Sequence, residues 1–291
     1  MKNLFLFLLL TTLAVPAMSQ TTLQVLTKTI EKTVKWKPGY ALEINGEKAE
    51  VEVSPGNSGE IVVHAELSTK HPDMNTARTD LENWKFVVST VGKKIYVRAY
   101  IGLKNGQETP SSNYKAKIVL LVPTECPVTL NNKLGKVRLE NLKGSMALSG
   151  EFCNFELSNL GGDVWLDSKY GTVDGKGFTG KVALKTNRAD VTLSDLQSDC
   201  SVQCAYGKIS VEALSSTGNL AVTGEKSEVR LLLPSDARHN VHLKSAYGEL
   251  AAPRNFENFR PGDNILQANL KSLEGRPFVS IETTFGKITV E

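Results

Sequence analysis

The chain has 291 residues, of which 41% are hydrophobic and 22% charged, with a formal net charge of +3. This composition provides enough apolar surface for a sizeable core and excludes a disordered polyelectrolyte. The small net charge and the lack of a basic run interleaved with aromatic residues exclude a nucleic-acid-binding protein, and the charge gives no argument for an anionic membrane as partner.

The N-terminus predicts export. Residues 4–10 form an unbroken apolar run after one positive charge, and Ala17 and Ser19 are small residues at the positions that a signal peptidase reads. We therefore interpret residues 1–19 as a secretory signal peptide that is cleaved before Gln20. The run is too short to span a membrane, and no later stretch reaches about 18 apolar residues, so no transmembrane segment is expected after cleavage. The expected location is the periplasm, the cell surface or the extracellular space.

The first third of the mature chain, residues 20–115, has irregular strand signals. Alternating apolar residues predict several strands, and Asn45-Gly46 is a turn signal after the first of them. The segment 73–84 is the one plausible helix, with Asp73 placed to cap its first turn. We interpret this irregular β-rich region as the cap and the first coils, because the end of a solenoid needs covering.

A nine-residue repeat begins at Leu134 and runs through nine consecutive units to Leu214. The fourth residue of every unit is apolar, the sixth is apolar in eight of nine (Gly175 is the exception), and the fifth is mostly polar or small. This alternation is typical of a short strand with one buried face. The second residue is always small and mostly glycine, which predicts a tight corner with closely approaching backbones. Each unit is therefore one strand and one turn.

Longer periods predict how the units are arranged. The ninth residue is apolar in every second unit, which indicates that two units form a coil of 18 residues. Residues 116–291 are therefore predicted to form a solenoid of stacked parallel strands, and an antiparallel β-sandwich is the alternative. We expect aromatic–glycine pairs to be equivalent corners whose rings form a ladder. These pairs are Tyr170-Gly171, Tyr206-Gly207, Tyr247-Gly248 and Phe285-Gly286.

Export also affects how the four cysteines are interpreted, because disulfides persist in oxidising compartments. Cys126, Cys153, Cys200 and Cys204 allow three pairings, and their spacing does not choose among them. On one extended strand, Cys200 and Cys204 would be about 13 Å apart, too far for a disulfide. Two alternatives stay open: one disulfide, or buried thiols that act as small apolar residues.

Several segments together resemble a known family. The signal peptide is followed by T-K-T-I-E-K-T-V at 27–34, by I-V-L-L-V-P at 118–123 and by serial G-[KT]-[VI] units, and L-L-L-P at 231–234 precedes S-A-Y-G-E-L. This combination resembles the bacterial putative-adhesin family, an exported envelope domain of unknown function, over nearly the whole mature chain. The resemblance implies an exported β-solenoid-like protein and brings no catalytic residues with it.

The sequence lacks the patterns that would indicate catalysis or metal binding. A polysaccharide-cleaving β-helix needs paired carboxylates on neighbouring coils. Asp163 and Asp190 share a unit position, but they are 27 residues apart and would not stack in coils of 18. Only one unit faintly resembles a calcium-binding repeat, and the four histidines lack the spacing of metal ligands. The sequence also lacks a nucleotide-binding loop and a serine-nucleophile motif. An enzyme is disfavoured, and no cofactor is expected.

Trp165 breaks the outward-face pattern, since it occupies a fifth position where other units place polar or small side chains. Such an aromatic can stack on a sugar ring or a partner protein, or it can lie beneath a loop, for which the excursion 254–275 is the candidate. The sequence thus predicts a non-catalytic, adhesin-like protein that binds a glycan, an envelope component or a cell-surface partner. The alternatives are a structural, self-associating envelope protein and, disfavoured, a polysaccharide-active enzyme.

Overall fold

The computed structural model describes residues 22–103, 109–214, 218–233, 238–270 and 274–291, without the side chain of Ala213. The predicted signal peptide lies outside the described residues. The described residues form 21 strands and one helix, and the strands belong to one continuous sheet that coils into a β-solenoid. The repeat strands pair in parallel, so the all-β solenoid prediction is confirmed and the antiparallel sandwich is wrong.

Seven strands and the helix precede the regular coils. In chain order they are β1 (Gln24–Lys35), β2 (Ala41–Glu47), β3 (Ala49–Pro55), β4 (Glu60–His71), α1 (Met74–Asn83), β5 (Trp84–Val91), β6 (Lys94–Ile101) and β7 (Asn113–Val122). The turn predicted at Asn45-Gly46 is misplaced, because β2 continues through both residues. The chain turns instead at Lys48, which has a left-handed φ of 49°. The predicted division between cap and repeats at 115/116 falls within β7 and stays a prediction.

Antiparallel strands close the N-terminal end. β6 pairs in parallel with β2, and β7 pairs in parallel with β3. β5 pairs antiparallel with β6. On the other side, β4 pairs antiparallel with β7, and β1 pairs antiparallel with β4. Helix α1 lies where it was predicted, and Asp73 caps it by accepting a 2.7 Å hydrogen bond from the Thr76 amide. That hydrogen bond lowers the pKa of Asp73. No helix among the described residues is long and apolar enough to cross a membrane.

The central repeats form coils of 18 residues. Their four long strands, each of which bends at a corner, are β8 (Val128–Glu140), β9 (Met146–Leu160), β10 (Val164–Phe178) and β11 (Val182–Leu196). Val164 of β10 lies opposite Met146 of β9 on one side and Val182 of β11 on the other, which confirms the 18-residue coil. The coil of β2 and β3 stacks on β8.

Side chains at the fourth and sixth positions, and at the ninth position of every second unit, fill the interior. The exception at Gly175 has a steric reason. A Cβ atom on Gly175 would lie 2.6 Å from the Phe178 ring, so this ring occupies the space that leucine fills in other coils. The apolar ninth residues are all buried: Leu142, Leu160, Phe178, Leu196 and Leu214.

The last third of the chain has shorter strands. They are β12 (Cys200–Ala205), β13 (Lys208–Leu214), β14 (Leu220–Glu225), β15 (Glu228–Leu231), β16 (Asn240–Ala246), β17 (Glu249–Ala251), β18 (Glu257–Gly262), β19 (Ile265–Leu270), β20 (Phe278–Thr284) and β21 (Lys287–Val290). Here the stacking order departs from the chain order. β20 lies between β14 and β16, and β21 lies between β15 and β17. The final coil is therefore an internal layer of the stack.

Each long strand turns at a first corner through a residue with left-handed φ, between 47° and 63°. The eight residues at this corner are Leu134, Phe152, Tyr170, Arg188, Tyr206, Lys226, Tyr247 and Phe285. The four predicted aromatic–glycine pairs thus lie at this corner, but the residue before the glycine makes the turn. The ladder also includes Phe152 and the non-aromatic residues Leu134, Arg188 and Lys226, which the sequence prediction did not include.

The small residue after the corner is required by close backbone approach. A Cβ atom on Gly171 would lie 2.0 Å from the carbonyl oxygen of Cys153, and one on Gly207 would lie 2.2 Å from that of Ala189. Across the stack, coils with glycine here alternate with coils that carry Cys153, Ala189 or Ser227. This alternation of two corner types gives the 36-residue spacing from Tyr170 to Tyr206 its physical basis.

All four cysteines are buried free thiols. Of the two alternatives, one disulfide or buried thiols, the structure therefore has buried thiols. Burial raises the pKa of Cys126 to about 11 and that of Cys200 to about 12. We expect no alkylation of these thiols by iodoacetamide in the folded protein near pH 7, since neither access nor thiolate is available. In guanidinium chloride all four should react, as mass spectrometry would detect. Rapid labelling of the native protein would contradict their burial.

A candidate binding groove

The coils present two outward faces with different chemistry. The charged face consists of the outward side chains that follow the first corner. It carries ion pairs between neighbouring coils, such as Arg138–Glu156 at 2.7 Å and Arg230–Glu291 at 2.7 Å. Hydrogen bonds from Lys136 and Arg138 lower the pKa of Glu156. Part of the charge on this face is therefore neutralised within the protein.

The opposite face carries a row of small side chains interrupted by Trp165. These fifth-position residues face outward in register on adjacent strands and are exposed: Thr129, Ala147, Trp165, Ala183, Ser201 and Ala221. Trp165 lies between Ala147 and Ala183, neither of which is long enough to cover an indole ring. Its exposure is 48%.

No loop of the described excursion covers Trp165. β18 and β19 form a hairpin in which β19 pairs antiparallel with β16, five strands away from β10 in the stack. The hairpin therefore caps the C-terminal end of the solenoid, and the sequence-based alternative that 254–275 lies over Trp165 is wrong.

Trp165 stands in a groove, which we call the Trp165 groove, with a volume of about 730 Å³. The groove crosses the strands from Pro127, beside β8, to Phe278 of β20. Six strand spacings of about 4.8 Å give it a length of about 29 Å. The surface of the groove is mostly apolar. Its exposed side chains are mostly small, so the buried residues beneath them, such as Met146 and Leu220, contribute to this surface.

One side of the groove is lined by polar side chains that bind the next coil. Asp163 accepts a 3.0 Å hydrogen bond from the Lys181 amide, and Asp199 accepts one of 3.1 Å from the Asn219 amide. Asn219 in turn accepts a 2.8 Å hydrogen bond from the Phe278 amide. The hydrogen bonds from Asn219 lower the pKa of Asp199, so this carboxylate stays ionised.

These two carboxylates do not form a glycosidase pair. Asp163 and Asp199 are two strands apart, about 10 Å, and glycoside hydrolysis needs one carboxyl group that keeps its proton. Both instead accept a backbone N–H from the next coil, and for Asp199 this hydrogen bond favours the ionised form. Among the described residues, no group of three His, Cys, Asp or Glu side chains could hold a metal ion.

Beyond the groove on its other side, two residues or about 7 Å further along each strand, the same face has a row of hydrogen-bonding groups at the seventh position. Its members in adjacent strands are Ser149, Asp167, Lys185, Gln203 and Thr223. The apolar strip is thus flanked by polar rows on both sides. This arrangement suits a ligand with an apolar face and polar edges.

Of the sequence-predicted site residues, the structure places only Trp165 and Cys200 at the groove, and Cys200 is a buried part of its wall. The aromatic–glycine corners lie along a separate edge of the solenoid. Sequence reasoning did not identify Phe278 or the two alanines beside Trp165. Aligning the fifth positions at a spacing of 18 would have placed both alanines next to the tryptophan.

The fold and the groove define a β-solenoid protein with an aromatic surface site. Residues 40–291 match the model of the Toastrack DUF4097 family, so the chain belongs to this family. This confirms the resemblance to the bacterial putative-adhesin family. No curated protein sequence matches the chain.

Two solved structures are similar to the chain at low identity. A putative adhesin from Bacteroides fragilis is 13% identical and covers 91% of this chain and 97% of its own, with a TM-score of 0.46. A putative lipid binding protein from Parabacteroides distasonis is 10% identical and covers 90% of this chain and 96% of its own, with a TM-score of 0.46. Neither likeness is close enough to carry an argument about function.

Proposed function

We propose that this protein is an exported, non-catalytic binding protein that holds a glycan of the envelope or of a neighbouring cell in the Trp165 groove. The observation that carries the proposal is the half-exposed Trp165 ring between two alanines. A large exposed aromatic on a rigid strand is the usual anchor of a recognition surface. Export is supported by the predicted signal peptide.

The polar rows favour a glycan over a protein segment. Asp167 is an acceptor, Lys185 is a donor, and Gln203 is both, while sugar hydroxyls can donate and accept. The apolar strip between the rows accommodates the C–H face of a sugar ring on the indole. A sugar chain along the groove would have one row of polar side chains at each edge. Hydrogen bonds to both rows would fix the orientation of the sugar chain and add to its affinity.

Replacing Trp165 with alanine should weaken glycan binding about tenfold or more, the range of an interface hot spot. The thermal midpoint should stay nearly unchanged, because the side chain is half exposed and makes few core contacts. The measurement is a glycan array with residues 20–291, followed by calorimetric titration of the sugars that bind. A large loss of stability in Trp165→Ala would show instead that the ring is structural.

Three further variants make the test specific. Tyr100→Ala removes an aromatic side chain of similar exposure (45%) from β6 in the cap and should leave binding intact. Trp165→Phe should keep most of the affinity, because the aromatic face remains. Ala183→Gln keeps the indole but fills the space beside it, so it should abolish binding without loss of stability. Binding that survives both Trp165→Ala and Ala183→Gln would place the site elsewhere.

A second candidate function, self-association, is favoured by one edge strand. Within the described part of the chain, β6 is the sole strand partner of β5, and Val87 and Val91 of β5 are exposed. β1 carries lysines along its edge, and β18 has Pro261 and an irregular register, both of which discourage pairing. Light scattering over a concentration series would show association, and Val87→Lys should abolish it.

A further inference from the structure

A continuous ridge of large side chains runs along the first corner of the solenoid, beside the charged face and separate from the groove. Strand pairing orders its nine members, which span about 38 Å at about 4.8 Å per strand. We call this set the corner ridge: Lys48, Leu134, Phe152, Tyr170, Arg188, Tyr206, Lys226, Phe285 and Tyr247. All nine have left-handed φ.

The second corner of the same coils shows that bulky residues are not needed for this backbone shape. The corresponding left-handed residues there are Asn141, Asn159, Gly177 and Asp195. Asn, Asp and Gly adopt this conformation readily, whereas large side chains are uncommon in it. The first corner therefore keeps aromatic and cationic residues against their backbone preference, which indicates a role beyond turning the chain.

Stacking holds the rings of the corner ridge in fixed orientations. Phe152 and Tyr170 are stacked at 4.6 Å with an interplanar angle of 8°, and Tyr247 and Phe285 at 5.2 Å and 24°. Between the pairs, cations replace rings. The Arg188 guanidinium lies 5.7 Å from Tyr170 and 5.6 Å from Tyr206, and the Lys226 ammonium lies 5.2 Å from Tyr206.

The outward part of the corner ridge is apolar and carries positive charges that no carboxylate neutralises. Phe152, Tyr206, Tyr247 and Phe285 are between 45% and 60% exposed. Neither Arg188 nor Lys226 has a carboxylate partner among the described residues. Charges on the flanking strands instead pair with each other, as Lys133–Glu151, Lys208–Glu228 and Lys287–Glu249 do.

Ring orientation decides what kind of partner fits. Tyr170 lies between Phe152 and Arg188, and Tyr206 between Arg188 and Lys226, so the ring faces are covered and the ring edges are left exposed. The hydroxyls of Tyr170 and Tyr206 accept hydrogen bonds from Arg188 and Lys226. Sugar stacking needs an open ring face, which the inner rings of the corner ridge lack because their neighbours lie over them. Aromatic edges beside Lys and Arg are instead typical of groups at a membrane–water interface. A straight convex line can also lie on a flat surface, whereas a groove cannot.

We propose that the corner ridge binds an anionic lipid surface. Its ring edges enter the headgroup layer, and Arg188 and Lys226 lie near lipid phosphates. The net charge of +3 gives little long-range attraction, so binding depends on this local combination of apolar and cationic contacts, the two signals that peripheral binding requires. The solenoid would then lie with its stack axis along the membrane plane.

Asparagine substitutions test the proposal without disturbing the corner, because asparagine adopts the same φ at the second corner. Residues 20–291, without the apolar signal peptide, are sedimented with vesicles of phosphatidylglycerol and phosphatidylcholine or of phosphatidylcholine alone. We expect binding to the anionic vesicles. The triple variant Phe152→Asn, Tyr247→Asn, Phe285→Asn should bind at least tenfold more weakly, and Arg188→Asn and Lys226→Asn about fivefold more weakly each.

Trp165→Ala is the matched control, since it removes an exposed aromatic that is not on the corner ridge; it should bind vesicles like the wild type. Circular dichroism checks that each variant is folded, and the single cation variants keep the test valid if the triple variant is destabilised. Failure of the wild type to bind anionic vesicles, or equal binding by folded ridge variants, would overturn the proposal. Ridge-dependent binding to soluble alginate but not to vesicles would also overturn it and favour an acidic glycan.

Discussion

Removing residues 276–291 should unfold the C-terminal end of the solenoid, not merely shorten it. These residues form β20 and β21, which lie between the coil of β14 and β15 and the coil of β16 and β17. Val279, Ile281 and Ile288 are fully buried there. Without this layer, β16 loses its parallel partner, and the hairpin of β18 and β19 loses its attachment to the stack. Coils up to β15 should stay folded, because each coil contacts only its neighbours.

Limited proteolysis with mass spectrometry measures this outcome. The truncated protein should be cut within 238–270 under conditions where the full chain resists, and a core ending near β15 should persist. Ile281→Ala in the full chain should show the same effect more mildly, at about 2–5 kcal/mol. Phe259→Ala, in the outermost strand β18, is the control and should change stability by less than about 0.5 kcal/mol. Protection of 238–270 after truncation would mean that β16 does not depend on β20.

The interior of the solenoid could be predicted because buried positions recur at regular intervals in the sequence and are occupied by apolar residues. The apolar fourth, sixth and ninth residues report which side chains point inward, and the alternation from Leu142 to Leu160 through a polar Glu151 reports the 18-residue coil. Helix α1 was predictable for the same kind of local reason, since Asp73 is a strong cap. These signals depend on residues within one coil or on neighbouring coils.

Strand order at the ends was not predictable. The insertion of β20 between β14 and β16 depends on contacts between residues more than 35 apart, which leave no local pattern. β6 and β7 likewise lie outside β2 and β3 although they follow them in the chain. In both places, the strand that pairs with an earlier strand comes from a later segment of the chain and not from the segment that follows directly.

The surface features were predictable only in part. Trp165 was visible as an exception, but the groove around it consists of alanine and serine, which carry no signal of their own. The ring ladder was predicted from aromatic residues, so Arg188 and Lys226 were missed, because cations take the place of rings on alternate coils. The tight corner was predicted at the glycine, whereas the left-handed turn is made by the bulky residue before it.

Gly171→Ala should destabilise the protein by about 3 kcal/mol or more, because strain and overpacking act together. Gly171 has φ 147°, which L residues rarely adopt, and its new Cβ would lie 2.0 Å from the Cys153 carbonyl oxygen. The obstructing atom belongs to the backbone of the adjacent coil, so no side-chain rotation can relieve the contact. The denaturant midpoint in urea should fall accordingly.

Two glycine–alanine changes separate this effect from a general cost of substitution. Gly262→Ala, where nothing lies within 4 Å of the added Cβ, should be neutral or slightly stabilising. Ala189→Gly, at the aligned position one coil further along, should cost no more than about 1 kcal/mol. If Gly171→Ala were as mild as these controls, the coils could separate at the corner, and the alternation of glycine with Cys153 and Ala189 would lose its steric explanation. A large loss confined to Gly171→Ala would show that coil-to-coil backbone contact sets the 36-residue spacing.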